Sequence, residues 1–281
     1  MVRAVPRRGQ EAAVNMSNQH ACGSCAGAHA LPGVHDAREC PPNECGAAGH
    51  SISAARLPET CAGCELCASS TQLPCDAPLI IMIGEDGAGI CDIARAMHMP
   101  AVLAALPVSD WNAELTPWPA PELRRGQPFS GGADATLERV RLALPALSEA
   151  LGRAGLVPRA SIIMGYSLAG LCALWCATRM QGFDGAASIS GSMWYDGFCD
   201  YLSEHAPHVR AAYLSLGDAE PRARNERLRR VGECTLQAHS MLCDAGINAH
   251  FDWNKGNHFT DVHARVARGA DWLCEACSGS G

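Results

Sequence analysis

Long hydrophobic runs, a surplus of basic residues and aromatic side chains are what this sequence lacks. No apolar run approaches the roughly 20 residues needed to cross a bilayer, and no apolar segment follows the basic N-terminus as in an export signal. The formal net charge is −7, and aromatic residues make up only 5% of the 281 residues. Nucleic acids and anionic membranes require a basic surface, so we expect neither as a partner. The expected location is the cytoplasm.

A glycine fingerprint for a dinucleotide is missing as well. The first strongly apolar run is followed by GEDGAG at residues 84–89, whose glycines do not have the G-x-G-x-x-G spacing. That spacing provides the tight turn and the close approach to a pyrophosphate in a Rossmann site. The sequence therefore disfavours a dinucleotide-binding protein.

Cysteine, by contrast, is abundant: the chain has 16 cysteines, and half of them fall within residues 1–77. This segment is also rich in Gly, Ala, Pro and His, and it has too few large apolar residues to bury a core of its own. We predict that residues 1–77 form a Cys/His-rich extension of little regular structure, either metal-binding or disordered. Residues 78–281 are predicted to form the folded domain.

Two parts of this extension have the C-x-x-C spacing with which two thiolates hold one metal ion. They are CGSC at 22–25 and CAGCELC at 61–67. The predicted ligands are Cys22, Cys25, Cys61, Cys64, Cys67 and Cys75. We expect a structural zinc rather than an iron–sulfur cluster, because the proline that usually follows the last cluster ligand is absent. The alternative is a flexible tail with free or adventitiously oxidised thiols.

Beyond residue 78, six short apolar runs alternate with longer helical patterns. The runs are LIIMI (79–83), AVLAAL (101–106), SIIM (161–164), GAASIS (185–190), AAYLSL (211–216) and NAHFDW (248–253). Such runs are typical of strands in a mostly parallel sheet that helices cover on both faces. The predicted fold class is therefore a three-layer α/β protein.

Two of the helical patterns are clear. Leucine and valine residues between Leu137 and Leu151 recur at spacings of three and four and so share one helix face. Pro145 lies inside this stretch and is expected to kink it. Residues 225–242 are predicted to form a second amphipathic helix.

The run SIIM leads into GYSLAG, which is followed by an apolar helical stretch. A serine nucleophile on a sharp strand-to-helix turn needs small residues two positions before and after it, as in G-x-S-x-G. Here Gly165 and Ala169 take these positions around Ser167, and Gly170 follows. We predict that Ser167 is a nucleophile. The alternative is a chance match in a buried turn.

A serine hydroxyl is a poor nucleophile at neutral pH unless a general base and an orienting acid assist it. On this kind of turn the chain order is serine, acid, histidine. The run AAYLSL is followed by Asp218 and Glu220, and NAHFDW is followed by His258. We predict His258 as the base and Glu220 as the acid, since Gly217-x-x-Glu220 has the spacing usual in this strand-end turn. Asp218 is the alternative acid.

An oxyanion hole needs two backbone N–H donors that point at the developing charge. The amide of Leu168, directly after the nucleophile, is one candidate. The other is expected in the loop after the first parallel strand, at Glu85 or Asp86.

A long insertion at residues 107–132 lies between a strand and a helix, where a loop of this length is usually functional. We predict a lid or pocket wall, the alternative being an ordered surface loop that tryptophans hold in place. Trp111 in this insertion, Tyr166, and Trp194 and Tyr195 of the SGSMWY stretch are the predicted substrate contacts.

At residues 78–273 the chain resembles α/β-hydrolase proteins related to enterochelin-esterase-like and esterase-D-like bacterial enzymes. The resemblance rests on DWNAELTPWPAP, IIMGYSLAGLCALW, SGSMWY, LSLGDAEPRARN and NKGNHFTD. It implies an α/β-hydrolase fold and serine-dependent hydrolysis of an ester or thioester, with Ser167 as nucleophile, His258 as base and Glu220 or Asp218 as acid. It does not extend to residues 1–77.

Two functions follow from these patterns. The first is a serine hydrolase that cleaves a small ester or thioester through an acyl-enzyme and requires no cofactor for catalysis. The second is a non-catalytic metal-binding or redox-sensing protein built on a hydrolase scaffold, which the cysteine density favours. The order of the three candidate catalytic residues favours the first, with a small-molecule ester as its partner.

Overall fold

Twelve strands and eight α-helices make up residues 51–279, the part of the chain that the computed structural model describes. The strands are β1 (Ser51–Ser53), β2 (Thr60–Cys61), β3 (Cys64–Ala68), β4 (Gln72–Pro74), β5 (Leu79–Ile83), β6 (Val102–Leu106), β7 (Pro119–Ala120), β8 (Phe129–Ser130), β9 (Ser161–Tyr166), β10 (Gly185–Ile189), β11 (Ala211–Gly217) and β12 (Asn248–Asn254). The helices are α1 (Gly87–Ala96), α2 (Trp111–Glu114), α3 (Ala133–Arg153), α4 (Leu168–Arg179), α5 (Phe198–Glu204), α6 (Glu226–Arg229), α7 (Val231–Asp244) and α8 (Val262–Ala276). Short 3₁₀ turns occupy Ala54–Arg56 and Glu220–Arg222.

The main sheet has eight strands in the order β12-β11-β10-β9-β5-β6-β3-β2. The six strands from β12 to β6 are parallel, and the hairpin β2–β3 adds two antiparallel strands at the β6 edge. All six predicted apolar runs form these six parallel strands. Since the carboxyl ends of parallel strands share one edge of a sheet, the loops after β9, β11 and β12 are neighbours there.

Helices cover both faces of the sheet, so the predicted three-layer α/β fold class is confirmed. The buried side chains of α3, α4 and α7 join the inward side chains of one face in a single apolar core. Those of α1 and α8 form a second core on the opposite face. Every residue of β5, β6 and β10 is buried, which explains why these strands read as continuous apolar runs.

The sheet begins earlier in the chain than residue 78, where the sequence patterns place the start of the folded domain. Strand β3 pairs antiparallel with β6, with Leu66 opposite Ala104, and β2 pairs with β3. The sequence patterns did not indicate this hairpin because a cysteine takes the most buried position of β3: Cys64 is fully buried. Cysteine behaves there as a small apolar residue.

The cysteines of this hairpin lie on both faces of the sheet. Successive side chains of a strand alternate in direction, so Cys64 packs into the core with α3 and α4, whereas Cys67 packs against the core of α1 and α8.

Within residues 51–279, no group of three or more His, Cys, Asp or Glu side chains is arranged to hold a metal ion. Cys22 and Cys25 lie outside the described residues, and a zinc site there stays a prediction.

Helix α3 contains Pro145 in its interior and continues to Arg153; the kink expected at this proline stays a prediction. The single helix predicted over residues 225–242 is two helices, α6 and α7, which meet at Arg230. The side chain of Asn225 accepts hydrogen bonds from the amides of Arg227 and Leu228, so α6 has its own N-terminal cap.

None of the helices in residues 51–279 is long and apolar enough to cross a bilayer.

Candidate active site

Ser167 lies on the sharp turn between β9 and α4. Its backbone has φ 60° and ψ −124°, a conformation that L-residues rarely adopt and that usually marks a functional turn. The Ser167 amide donates to the Ile189 carbonyl, while its own carbonyl accepts from the Ser192 amide. Neighbouring backbone therefore holds the turn in its strained geometry and presents the hydroxyl at the carboxyl edge of the sheet.

Small residues beside Ser167 allow this turn to form. A Cβ atom at Gly165 would lie 2.5 Å from the backbone carbon and oxygen of Ala169, so no larger residue fits without moving the start of α4. Ala169 itself is fully buried. The alanine at the last position of the motif is therefore accommodated, whereas the first position requires glycine.

Ser167, His258 and Glu220 form one continuous chain of hydrogen-bond contacts. The Ser167 Oγ lies 3.0 Å from His258 Nε2, and His258 Nδ1 lies 2.7 Å from Glu220 Oε2. The three residues follow β9, β12 and β11 respectively; β11 and β12 are neighbours in the sheet, and β10 lies between β11 and β9. The structure thus brings together the three residues that the sequence predicts for nucleophile, base and acid.

Glu220, and not Asp218, contacts the imidazole. Glu220 reaches it because its Oε1 also accepts the Gly217 amide at 2.6 Å, which closes the G-x-x-E turn after β11. Asp218 instead accepts the Gly256 amide at 3.0 Å. It therefore ties the turn after β11 to the loop that carries His258.

Two residues that the sequence analysis did not single out surround the Glu220 carboxylate. Ser190 donates to Glu220 Oε1 at 2.8 Å, and Arg265 Nη1 lies 3.1 Å from the Ser190 hydroxyl and 3.4 Å from Glu220 Oε1. The Nη2 atom of Arg265 donates to the carbonyls of Asn257 and Lys255, in the loop before His258. Only 2% of Arg265 is exposed.

The sequence contains a signal for the buried position of Arg265. It lies on the apolar face of α8, one residue before the buried Val266 and four before Gly269. A charged residue on the buried face of a helix is almost never found without a partner, so this position carries a sequence signal. Ser190 is within the quoted SGSMWY stretch but has no comparable signal.

The environment of Glu220 favours its charged form. Burial by itself would raise the pKa of this carboxyl, but hydrogen bonds from His258, the Gly217 amide and Ser190 outweigh that effect and lower the pKa below its ordinary value. Glu220 is therefore a carboxylate at neutral pH, and its charge faces the imidazole.

The loop that carries His258 is held on several sides. The Tyr166 hydroxyl donates to the His258 carbonyl, and the two rings are 4.9 Å apart between centroids. Gly217 comes so close to the Gly256 carbonyl that any Cβ there would collide with it. The imidazole is thus fixed by its own hydrogen bonds and by the backbone behind it.

A cavity of about 610 Å³ opens beside the Ser167 hydroxyl. Its wall includes Ser167, Leu168, Ser190, Ser192, Trp194, Glu220 and His258, together with residues of the insertion at 107–132 and of the segment from Ala219 to Val231. Most of the remaining wall is apolar, with Leu123, Phe129, Leu228 and Val231. Concave, largely apolar sites with a few polar groups are typical of small-molecule binding.

Of the four predicted substrate contacts, Trp194 lines this cavity. The other three are not part of the cavity wall. Trp111 packs over Gly84, Tyr166 contacts His258 as described, and the buried Tyr195 donates its hydroxyl to the Trp118 carbonyl.

The predicted oxyanion donors occupy the expected segments. Leu168 begins α4 and lines the cavity. Glu85 and Asp86 lie between β5 and α1, and the Asp86 side chain caps α1 by accepting the Gly89 amide. Burial raises the pKa of Glu85. The role of these amides stays a prediction.

The insertion at 107–132 is an ordered wall. It contains α2 and the β7–β8 hairpin, and the Trp118 indole donates to the Asp196 carbonyl at 2.8 Å. The Trp118 ring also lies 5.5 Å from that of Tyr201. Tryptophan thus fixes the insertion against the segment around α5, and the insertion lines the cavity with Asn112, Leu123, Arg124, Gln127 and Phe129.

Solved structures with a similar fold are serine hydrolases and esterases. The siderophore hydrolase EstB from Aspergillus nidulans matches with a TM-score of 0.55 and 18% identity, over 70% of this chain and 81% of that chain. An IroE-like serine hydrolase from Shewanella oneidensis matches with a TM-score of 0.57 and 13% identity, over 72% of each chain. The enterobactin esterase FES from Shigella flexneri gives 0.51 and 16%, over 76% of this chain and 54% of that chain.

These similarities show the fold, which is that of the α/β hydrolases. The resemblance to enterochelin-esterase-like proteins that the sequence motifs indicate is therefore confirmed at the level of the fold. No family model and no curated protein sequence matches the chain.

The strained turn gives a stability prediction. Gly165→Ala is expected to lower the free energy of unfolding by about 2 kcal/mol, because the added methyl group overlaps the backbone of Ala169. Gly152→Ala in α3 is the matched control: its Cβ meets nothing within 4 Å, and alanine should add about 0.5–1 kcal/mol in a helix. Urea unfolding measures both, and equal effects of the two substitutions would contradict this account of the turn.

The lowered pKa of Glu220 gives a pH prediction. A carboxylate whose pKa is lower in the folded state stabilises the fold at pH values above its unfolded pKa, and this contribution is lost as the pH falls. The free energy of unfolding should therefore fall more steeply from about pH 5 to pH 3 in the wild type than in Glu220→Gln. Urea unfolding at a series of pH values tests this, and parallel curves would show that Glu220 has no lowered pKa.

Proposed function

We propose that this protein is a serine hydrolase that cleaves a small carboxylic ester or thioester through an acyl-enzyme intermediate. The observation that carries the proposal is the contact chain from Ser167 Oγ to His258 to the buried Glu220, on a strained turn beside a cavity. Nucleophile, base and orienting acid in this arrangement are the requirements for acyl transfer by serine.

The first half-reaction follows from the direction of these hydrogen bonds. With Glu220 as an acceptor at Nδ1, the imidazole carries its proton on that nitrogen, and Nε2 is free to accept the Ser167 proton. The Ser167 oxygen attacks the ester carbonyl as His258 takes this proton. His258 then donates the proton to the leaving alcohol or thiol, and the acyl group remains on Ser167.

The second half-reaction repeats these steps with water. His258 takes a proton from a water molecule, which attacks the acyl carbonyl, and then returns a proton to Ser167 as the carboxylic acid is released. The imidazolium formed in each half-reaction is stabilised by the Glu220 charge. The amide of Leu168, with one from Glu85 or Asp86, is assigned to the oxyanion. None of these steps requires a metal or an organic cofactor.

Siderophore esters belong in the substrate panel. Two of the structural neighbours are a siderophore hydrolase and an enterobactin esterase, and their similarity to this chain is one of fold. Enterobactin and a series of 4-nitrophenyl esters of increasing acyl length would together narrow the substrate class.

The proposal predicts covalent labelling of Ser167. A fluorophosphonate probe should label the folded wild type, and Ser167→Ala should lose both labelling and ester hydrolysis because the nucleophile is gone. Mass spectrometry of the labelled peptide identifies the site. A folded wild type that takes up no probe would refute the proposal and favour the second hypothesis, a non-catalytic protein on a hydrolase scaffold.

Substitution of each candidate acid, Glu220 and Asp218, tests which of the two carboxylates assists His258. Glu220→Gln should lower kcat by a factor of about 100 to 10,000, because the imidazole loses its orientation and its counter-charge. Asp218→Asn should stay within about threefold of the wild type, since exposed polar groups away from the reacting atoms contribute little. The reverse order of effects would assign the acid to Asp218.

A further inference from the structure

The charges on the cavity wall are distributed unevenly. Among the lining residues, the charged side chains other than His258 are Glu220, Arg124 and Arg222. Glu220 is only 5% exposed at its side chain and is used by His258, Ser190 and the Gly217 amide. The charge available to a bound molecule is therefore positive, although the chain as a whole has a formal charge of −7.

Both arginines are free to bind a ligand. Within residues 51–279, neither the Arg124 nor the Arg222 guanidinium makes a hydrogen bond or an ion pair, whereas nearby Arg227 is paired with Asp196 at 3.0 Å. Arg124 comes from the insertion at 107–132, and Arg222 ends the 3₁₀ turn that begins at Glu220. Two separate segments thus contribute to one cavity wall arginines whose guanidinium groups are unpaired within residues 51–279.

We propose that the substrate is an ester with an apolar body and an anionic group, a carboxylate or a phosphate, which Arg124 and Arg222 bind. This inference rests on the proposed serine hydrolase function. Guanidinium groups match the planar, two-oxygen geometry of such anions. The apolar wall formed by Leu123, Leu228 and Val231 accepts the remainder of the molecule.

Pairs of esters that differ only in charge test the proposal. One pair is 4-nitrophenyl hexanoate and the 4-nitrophenyl monoester of adipic acid, which has a carboxylate on the acyl chain. The second pair is phenyl acetate and 4-carboxyphenyl acetate, which has it on the alcohol part. For at least one pair, kcat/KM of the wild type should be higher for the anionic member, and 0.5 M salt should reduce this preference.

Variants identify the residues that cause the preference. Arg124→Gln and Arg222→Gln should each lower the anionic-to-neutral ratio of kcat/KM about three- to fivefold, the effect expected of an exposed charge pair. Arg125→Gln and Arg224→Gln are matched controls, because these exposed neighbours do not line the cavity. Turnover of both the neutral and the anionic esters should change little in the two control variants.

The outcomes separate this inference from the proposed function. Hydrolysis of neutral esters with a ratio that none of the variants changes would overturn the anionic substrate and leave the hydrolase in place. A wild type that hydrolyses no ester and takes up no fluorophosphonate would overturn both.

A second inference comes from a different observation, a close pair of thiols. Cys67 Sγ on β3 and Cys91 Sγ on α1 lie 2.7 Å apart, and both residues are partly exposed. Two sulfurs at this separation need only a small approach to reach the bonding distance of about 2 Å. The remaining cysteines of the hairpin do not share this position, since Cys61 and Cys64 pack on the opposite face of the sheet.

We infer that Cys67 and Cys91 form a reversible disulfide when a small-molecule disulfide such as oxidised glutathione is the oxidant. One thiol, as its thiolate, attacks the oxidant to give a mixed disulfide and releases one glutathione. The other thiolate then attacks the protein sulfur and releases the second glutathione. The two thiols lose two protons and two electrons, and the oxidant takes up both electrons.

Peptide mapping of the folded protein after this treatment tests the inference. A cross-linked peptide pair containing Cys67 and Cys91, lighter by two hydrogens and restored by dithiothreitol, is expected. It should be absent in Cys67→Ser and in Cys91→Ser and present in Cys75→Ser. Glutathione on the exposed Cys243 shows that the oxidant is active, and Cys243 modified without the cross-link would overturn the inference.

Discussion

A buried negative charge, the carboxylate of Glu220, is the constraint on which the geometry of the site depends. An ionised carboxylate in a protein interior costs several kcal/mol unless hydrogen bonds and an opposite charge compensate it. Here the Gly217 amide, the Ser190 hydroxyl, His258 and the Arg265 guanidinium do so. Gly217 ends β11, Ser190 and His258 follow β10 and β12, and Arg265 lies on α8. Hydrogen bonds to one carboxylate therefore hold four segments of the chain together.

Arg265 connects the Glu220 carboxylate to the loop that carries His258. Its second amino group donates to the carbonyls of Lys255 and Asn257, so the residue that faces Glu220 also holds the loop that positions His258. Removal of the guanidinium would leave the buried Glu220 carboxylate and the two carbonyls of the histidine loop with fewer partners. Arg265 is thus a positioning residue that acts through Glu220 and the histidine loop, without contact to the Ser167 hydroxyl.

The sequence contains most of the information on the sheet and on the three central residues, for a physical reason. Strands buried on both faces must be apolar throughout, and their carboxyl ends must meet at one edge. The GYSLAG motif, the G-x-x-E spacing and the chain order could therefore place Ser167, Glu220 and His258 together, with Asp218 as the alternative acid. Strand β3 was not predicted, because Cys64 takes a buried position at which a larger apolar residue would have indicated a strand. The contacts of Tyr166 and Tyr195, which are not part of the cavity wall, depend on side-chain directions in loops, which no local pattern specifies.

The residues proposed for catalysis and those proposed to select the substrate lie in different parts of the chain. The sheet edge provides the three residues proposed for catalysis, and they are held by a strained turn at Ser167 and by the network around Glu220, which leave little freedom for variation. The insertion at 107–132 instead contributes wall residues. Because Trp118 fixes the insertion to the Asp196 carbonyl and the ring of Tyr201, the wall is preformed. In the proposed hydrolase, the side chains that this wall presents, Arg124 among them, would set the preference among esters.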